Sequence, residues 1–282
     1  MAFESRRMLQ NIRRAIFSKT ISGIRTEDKR IGVYISGGMD STIILGNLIE
    51  VVRAFNINLT AFSMDFGITR NECEDQTNIA KYYGVDFIKV EMKNLYEKLP
   101  HILSFFSRPQ FNVWPYFLAD EASKYDITNV FIGEGADEVF GGYHHKGYLE
   151  AWADSLQYIQ RAYHETHEPF GIKVTIPFVD LNWRKLLNVH CSPYKYVLRK
   201  AYKNRLPASM VHKDSAPPFF TDYLAVWQRE FYNHVKWIVP QTNEEALIAL
   251  RIETARIWAE AQKQRYSLEE EIWPAVPWKS NI

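Results

Sequence analysis

The residues best placed to do chemistry lie in the stretch IGVYISGGMDSTIIL, residues 31–45. An apolar, β-branched run stops at Gly37 and Gly38, and Asp40 and Ser41 open a segment with helical spacing. A strand that turns into a helix presents backbone N–H groups with no intrahelical partner, and the helix dipole adds partial positive charge there. That is an anion site. Gly37 and Gly38 let the backbone approach phosphate oxygens where a β-carbon would clash, and Ser36 and Ser41 can add hydroxyl donors. A bare phosphate would repel Asp40, so the acid argues for a bridging Mg²⁺. The stretch is neither G-x-x-x-x-G-K-[ST] nor G-x-G-x-x-G, which excludes the P-loop and the dinucleotide fingerprint. A glycine pair alone also serves as a plain strand–helix turn. A second glycine-containing loop, FIGEGADEVFGGY (131–143), carries Glu134, Asp137 and Glu138. Its alternative reading is an acidic, solvated loop.

The elements that must position these loops alternate along the first half of the chain. Strands are expected at 31–36, 59–66, 85–92 and from 129 into the second loop. Helices are expected at 40–54 and 71–84, the latter stopped by Gly84, and a helical region punctuated by Pro109 and Pro115 follows the third strand. Strands separated by helices imply a parallel sheet covered on both faces. Ligands of such sheets sit at the carboxyl ends of the strands, where both loops fall. Beyond residue 146 the pattern is mainly helical (147–164, 195–205, 221–236, 243–264), interrupted by VTIPFVDL at 174–181. The expected organisation is an N-terminal helix over 1–24, an α/β region over 25–145, and a mainly helical region over 146–282. The basic start, with Arg6, Arg7, Arg13 and Arg14, reads as a surface helix packed on the domain.

Composition narrows the class. The chain has 282 residues, 46% hydrophobic, with a net charge of +1. That charge offers no whole-chain attraction for nucleic acid or an anionic membrane. No apolar run approaches the roughly 20 residues that span a bilayer. Two cysteines, Cys73 and Cys191, make neither a disulfide framework nor a CxxC pair; a reducing, cytoplasmic compartment is expected. His144 and His145 fit no metal template. Trp114, Trp152, Trp183 and Trp227 read as packing residues rather than a base-stacking platform.

SGGMDS resembles the pyrophosphate loop (PP-loop) of N-type ATP pyrophosphatases. GEGADEVFGGY closely resembles the GEG(S/A)DE-(I/V)-FGGY signature of the asparagine synthetase family. IPFVD (176–180) and KYVLRKAYKNRLPASMV (195–211) resemble that family's next two motifs, in order. The resemblance covers about residues 31–211 and implies the PP-loop, adenine nucleotide alpha hydrolase-like fold of the synthetase domain. It implies ATP and Mg²⁺ as cofactors and a ligase that adenylates a carboxylate and passes the acyl group to ammonia or an amine. By resemblance, Ser36, Gly37, Gly38, Asp40 and Ser41 hold the pyrophosphate, and Asp40 and Asp180 bind Mg²⁺. Phe62, Ser63 and Met64 match the adenine segment. Gly133, Glu134 and Asp137 match the loop beside the α-phosphate and acyl substrate, with Glu134 and Asp137 as catalytic candidates. Lys195 and Arg199 match basic residues facing the triphosphate; as a helical i,i+4 pair they can equally be solvated charges.

Three departures stand against the pattern. Ala2 sits where glutamine-hydrolysing relatives carry a nucleophilic cysteine, so no glutaminase is expected within this sequence. Nitrogen must come from solution, from the substrate, or from a separate glutaminase or amine-supplying subunit. The family's Glu and Arg before the PF-D segment are Lys173 and Thr175 here. After the LP segment, Lys213 falls at the Arg position and Ser215 where a lysine belongs. The expectation is that Lys173 or Lys213 supplies the missing cation. The partners expected are a small-molecule carboxylate and an amine donor, with neither a membrane nor nucleic acid; homo-oligomerisation stays open. The rival readings are a nucleotide-binding partner or sensor without turnover, and a base-, tRNA- or peptide-modifying PP-loop enzyme.

Overall fold

The computed structural model describes residues 6–66, 72–110, 112–140, 148–179, 195–207, 210 and 223–272. The elements in chain order are α1 (Arg6–Gly23), β1 (Arg30–Tyr34), α2 (Met39–Phe55), β2 (Asn58–Asp65), α3 (Glu72–Tyr83), β3 (Asp86–Glu91), α4 (Leu95–Ser104), α5 (Trp114–Ser123), β4 (Asn129–Phe131), α6 (Ala136–Phe140), α7 (Tyr148–His167), β5 (Lys173–Thr175), α8 (Tyr196–Tyr202), α9 (Tyr223–Glu230) and α10 (Asn243–Ile272). They fall into two compact units, residues 1–92 with 114–219 and residues 93–113 with 220–282.

The first unit holds one five-stranded sheet in the order β3-β2-β1-β4-β5. Every pairing is parallel. The direction of winding reverses between β1 and β4, so the carboxyl ends of these two strands flank the crevice where such sheets take ligands. The fifth strand falls inside VTIPFVDL, which the sequence marked only as a break in the helical pattern. Its three residues reach strand form through pairing with β4, a long-range partner that local periodicity does not reveal.

Side chains alternate across the sheet. Ile31, Val33, Leu59, Ala61 and Phe131 join the core built with Ile12 and Ile16 of α1, Ile44 and Leu48 of α2, Ile79 of α3 and Leu198 of α8. Residues of the other parity, such as Tyr34 and Phe62, pack edge-to-face at 6.3 Å on the opposite side. Helix α1 docks as the sequence led one to expect, burying Ile12, Ile16 and Thr20. Its last carbonyl, on Gly23, accepts from Asn129 Nδ2 at 2.9 Å and Lys173 Nζ at 3.0 Å. A side chain at Gly23 would meet Thr175 Cγ2 at 2.3 Å, so the helix end can approach β5 this closely only as glycine.

The second unit is helical. Leu99, Ile102, Phe106, Trp227, Phe231, Ala246 and Ala249 are buried within it. Tyr96 stacks on His234 at 4.4 Å, and Glu253 accepts from Tyr96, Trp237 and Arg256. The helix expected over 221–236 ends at Glu230. No helix among the described residues is long and apolar enough to cross a membrane.

Candidate active site

Residues 35–38 form a tight loop between β1 and α2. Gly37 adopts φ +75°, open to glycine at no steric cost. Gly38 starts the helix in an extended conformation, φ −90° and ψ 164°, without a side-chain cap of its own. Neighbouring hydroxyls brace the turn. The Gly38 amide donates to Ser36 Oγ at 3.3 Å, and the Ser36 amide to Ser41 Oγ at 3.2 Å. Thr42 Oγ1 donates to the Gly38 carbonyl at 2.7 Å. Ser36 and Ser41 therefore hold the loop in shape, with their hydroxyls 3.2 Å apart. Asp40 follows in the first turn of α2, where the helix dipole favours an acid.

The second loop packs directly on the first. A β-carbon at Gly133 would lie 2.5 Å from the Ser41 nitrogen and 2.7 Å from the Asp40 carbonyl carbon. Gly135 takes φ +87° and lets the chain turn into α6, which presents Asp137. Lys195, at the start of α8 in a left-handed conformation with φ +55°, reaches back to bridge the two motifs. Its ammonium is paired with Asp40 Oδ2 and lies 2.7 Å from Asp137 Oδ1. Lys195 is 6% exposed. Burial works to lower its pKa, but the attraction of Asp40 and Asp137 outweighs this and raises it. Burial raises the Asp40 pKa against the pull of Lys195, and Asp137 adds to the rise. Arg199, one turn along α8, adds positive potential at Asp40.

Glu134 faces the same crevice. Its pKa is pushed up to about 7, first by desolvation and then by Glu138, Asp137 and Asp40. The residue itself is open to solvent. Tyr163 Oη donates to Glu134 Oε1 at 3.3 Å and moderates the rise. On the other side of β1, Ser63 and Met64 are buried at the end of β2, and the Ile35 amide donates to the Phe62 carbonyl at 2.9 Å. This places the expected adenine segment beside the loop.

Two buried oxygens of the site, Asp40 Oδ1 and Ser63 Oγ, have no hydrogen-bond partner among the described residues. An orphaned carboxylate oxygen beside a glycine cradle fits a hydrated divalent cation. The orphaned hydroxyl fits a polar edge of a ligand entering beside β2.

The structure thus brings together Ser36, Gly37, Gly38, Asp40, Ser41, Gly133, Glu134, Asp137, Lys195 and Arg199, with Ser63 and Met64 adjacent. It does not bring in Lys173. That residue opens β5, at the amino end of the strand, and its ammonium caps α1 through the Gly23 carbonyl. Thr175 donates to Asn129 Oδ1 at 3.2 Å. Both departures from the family pattern on this strand are therefore used in docking α1. Lys213 and Asp180 lie outside the described residues, as do Ser215, Tyr143, His144, His145, Trp183 and Cys191. Trp114 packs beside the site, edge-to-face with Phe66 at 6.4 Å and Tyr163 at 5.9 Å, while Trp227 is buried in the second unit against Phe231. No motif pointed to Tyr34, Tyr163 or His167. The one available signal was the i,i+4 spacing of Tyr163 and His167 on a helix face.

Sheet order and the placing of both loops at the point where the winding reverses define an α/β protein whose parallel sheet takes its ligand at the carboxyl ends of its strands. The Asparagine synthase family model matches residues 14–189, and the chain belongs to that family. It is 31% identical over 148 residues to the glutamine-hydrolysing asparagine synthetase 1 of Bacillus subtilis, a match covering 50% of this chain and 22% of that protein. It is 22% identical over 262 residues to a probable glutamine-hydrolysing asparagine synthetase of Acanthamoeba polyphaga mimivirus, covering 76% of this chain and 43% of that one. The chain thus spans less than half the length of these relatives. A solved structure, the U34-tRNA thiolase NcsA from Methanococcus maripaludis with its 4Fe-4S cluster, is similar at 18% identity and a TM-score of 0.42, over 71% of this chain and 76% of that one.

Proposed function

We propose that the protein is an ATP-dependent ligase that adenylates a substrate carboxylate and transfers the acyl group to ammonia or an amine. The observation that carries this reading is the Lys195 bridge between Asp40 of the first loop and Asp137 of the second. It joins a phosphate-cradling loop to an acidic loop at a single point of the crevice.

In the first step a carboxylate oxygen attacks the α-phosphorus of ATP. The bond to the β-phosphate bridging oxygen breaks, and pyrophosphate leaves. Anions must approach one another, so cationic side chains and backbone donors carry the step. The Gly37–Gly38 backbone cradles the leaving pyrophosphate, and Lys195 and Arg199 supply positive charge beside it. Mg²⁺, held by Asp40 and, by resemblance, Asp180, would neutralise the β and γ phosphates. In the second step the nitrogen attacks the acyl carbon, AMP leaves, and the nitrogen gives up a proton. Glu134, with a pKa near neutrality, is suited to receive it. Aspartate with ammonia is the default substrate pair. A different acid or amine is the natural alternative, because the family's glutamate position is occupied by Lys173 and committed to α1.

The test is pyrophosphate release with Mg-ATP across a panel of carboxylic acids, aspartate included, with and without ammonium. Acid-dependent release with stoichiometric AMP supports the ligase, and the acid that elicits it names the substrate. ATP binding with no release for any acid would overturn it in favour of a nucleotide-binding partner.

A further inference from the structure

Behind Glu134 lies a buried polar chain that none of the motifs covers. Tyr163, on α7, is 4% exposed, and its phenol donates to Glu134 Oε1 at 3.3 Å. Its ring is held on two sides, edge-to-face by Trp114 at 5.9 Å and tilted against His167 at 5.9 Å. His167 is fully buried. Its Nδ1 lies 2.7 Å from the Tyr163 carbonyl, and its Nε2 2.7 Å from Tyr34 Oη. A carbonyl only accepts, so Nδ1 carries the proton, and Nε2 accepts from the Tyr34 hydroxyl. Tyr34 is the last residue of β1, directly ahead of the glycine loop. One uncharged imidazole thereby fixes the end of β1, the last turn of α7 and the phenol that meets Glu134.

We propose that Tyr163 is a positioning residue, clamped by His167 and Trp114, that orients the Glu134 carboxylate for proton acceptance from the attacking nitrogen. The proposal rests on the ligase reading above and adds to it the residues that set its base. A carboxylate on a solvent-open loop can adopt several rotamers. A hydrogen bond from a rigid aromatic selects one of them and lowers the entropy lost on reaching the reactive geometry. Among the described residues, the charged and titratable groups facing Glu134 are Glu138 and Asp137 on α6, Asp40 on α2, Tyr163 on α7, and Lys195 through its pairs with the two aspartates. Among them Tyr163 is the donor that lowers the Glu134 pKa. Losing the phenol must therefore raise it.

The experiment compares wild type, Tyr163→Phe and the double variant Tyr34→Phe/His167→Leu. The double variant removes both ends of a buried hydrogen bond and leaves neither orphaned. Circular dichroism and denaturant midpoints establish folding. The Glu134 carboxyl is titrated by NMR on protein carrying ¹³C-labelled glutamate, assigned by difference from Glu134→Gln; this readout needs no substrate. The expected result is an upward-shifted Glu134 midpoint in Tyr163→Phe. The acid limb of amide formation should shift with it, and kcat at neutral pH should fall roughly tenfold at unchanged KM for the acid. The double variant should shift in the same direction by less. Identical midpoints and acid limbs in wild type and Tyr163→Phe overturn the proposal. If Tyr163→Phe does not fold, a double variant with wild-type titration overturns it equally. Failure of the ligase reading is a separate outcome, seen as no acid-dependent pyrophosphate release by wild type.

Discussion

Gly133 and Ser41 stand so close that a single methyl group will not fit between them. The two residues belong to motifs that lie 92 residues apart in the chain. The separation of a β-carbon from the Ser41 nitrogen would be 2.5 Å, and the atoms it meets are backbone that no side-chain rotation relieves. The acidic loop and the glycine loop therefore form one rigid surface, set by the absence of a side chain.

Gly133→Ala is expected to push the loops apart and to cost roughly 1–3 kcal/mol, the usual range for overpacking. A lowered denaturant midpoint with weakened ATP binding is the expected pair of readings. A variant as stable as wild type, with unchanged nucleotide affinity, would show that the two loops do not need this contact.

Lys195→Met removes the cation between Asp40 and Asp137 and leaves two buried or half-buried carboxylates facing one another. The expected loss is on the order of 2–3 kcal/mol. It lies below that for a fully buried pair because 34% of the Asp137 side chain is exposed. The folded-state pKa of Lys195 is raised, so its stabilisation is fully present below the ordinary lysine pKa and is lost as pH rises through the folded value. Urea titrations should show a constant gap to wild type through the neutral range that closes in alkali.

His167 sets an acid limit. Burial is the main cause that pushes its pKa down to about 3, against the favourable bond to the Tyr163 carbonyl. The unfolded chain takes up a proton near the ordinary histidine pKa and the native state does not. The contribution of neutral His167 is therefore complete above about pH 6.5 and declines as pH falls toward the folded value. Wild type should lose on the order of 3 kcal/mol through this group between pH 6.5 and pH 4. Tyr34→Phe/His167→Leu should lack that slope, which parallel denaturant titrations will reveal.

Lys173→Met separates the structural role of this residue from the catalytic one its position in the family pattern implies. Among the described residues the lysine donates to the carbonyl at the end of α1, so the expected cost is about 1 kcal/mol. ATP affinity and pyrophosphate release should stay at the wild-type level. A large loss of pyrophosphate release at full stability would restore the lysine to the site.

How much of this was legible beforehand depends on the range of the interactions involved. The strand–glycine–helix unit at residues 31–45 follows from local rules: β-branched residues, a glycine turn, then helical spacing. So do β2, β3 and α2, whose apolar patterns are long enough to read. Strand β5 was not legible as a strand, because three residues carry no periodicity and become a strand only by pairing with β4. Helix α9 was overestimated because the apolar pattern continues past Glu230 while the chain turns to pack Phe231 and Val235.

Residue type was enough to mark the candidates for a phosphate cradle, because glycine conformation, helix polarity and the motif order are local properties. What those residues meet depends on contacts between distant segments. The Lys195 bridge to Asp40 and Asp137, the Gly133–Ser41 contact and the buried chain from Tyr34 through His167 and Tyr163 to Glu134 all join segments distant in the chain. The same holds for Lys173: its residue type permits a cation at the crevice, but the strand direction of β5 places it at the sheet's other end, where the carbonyl of Gly23 takes its hydrogen bond.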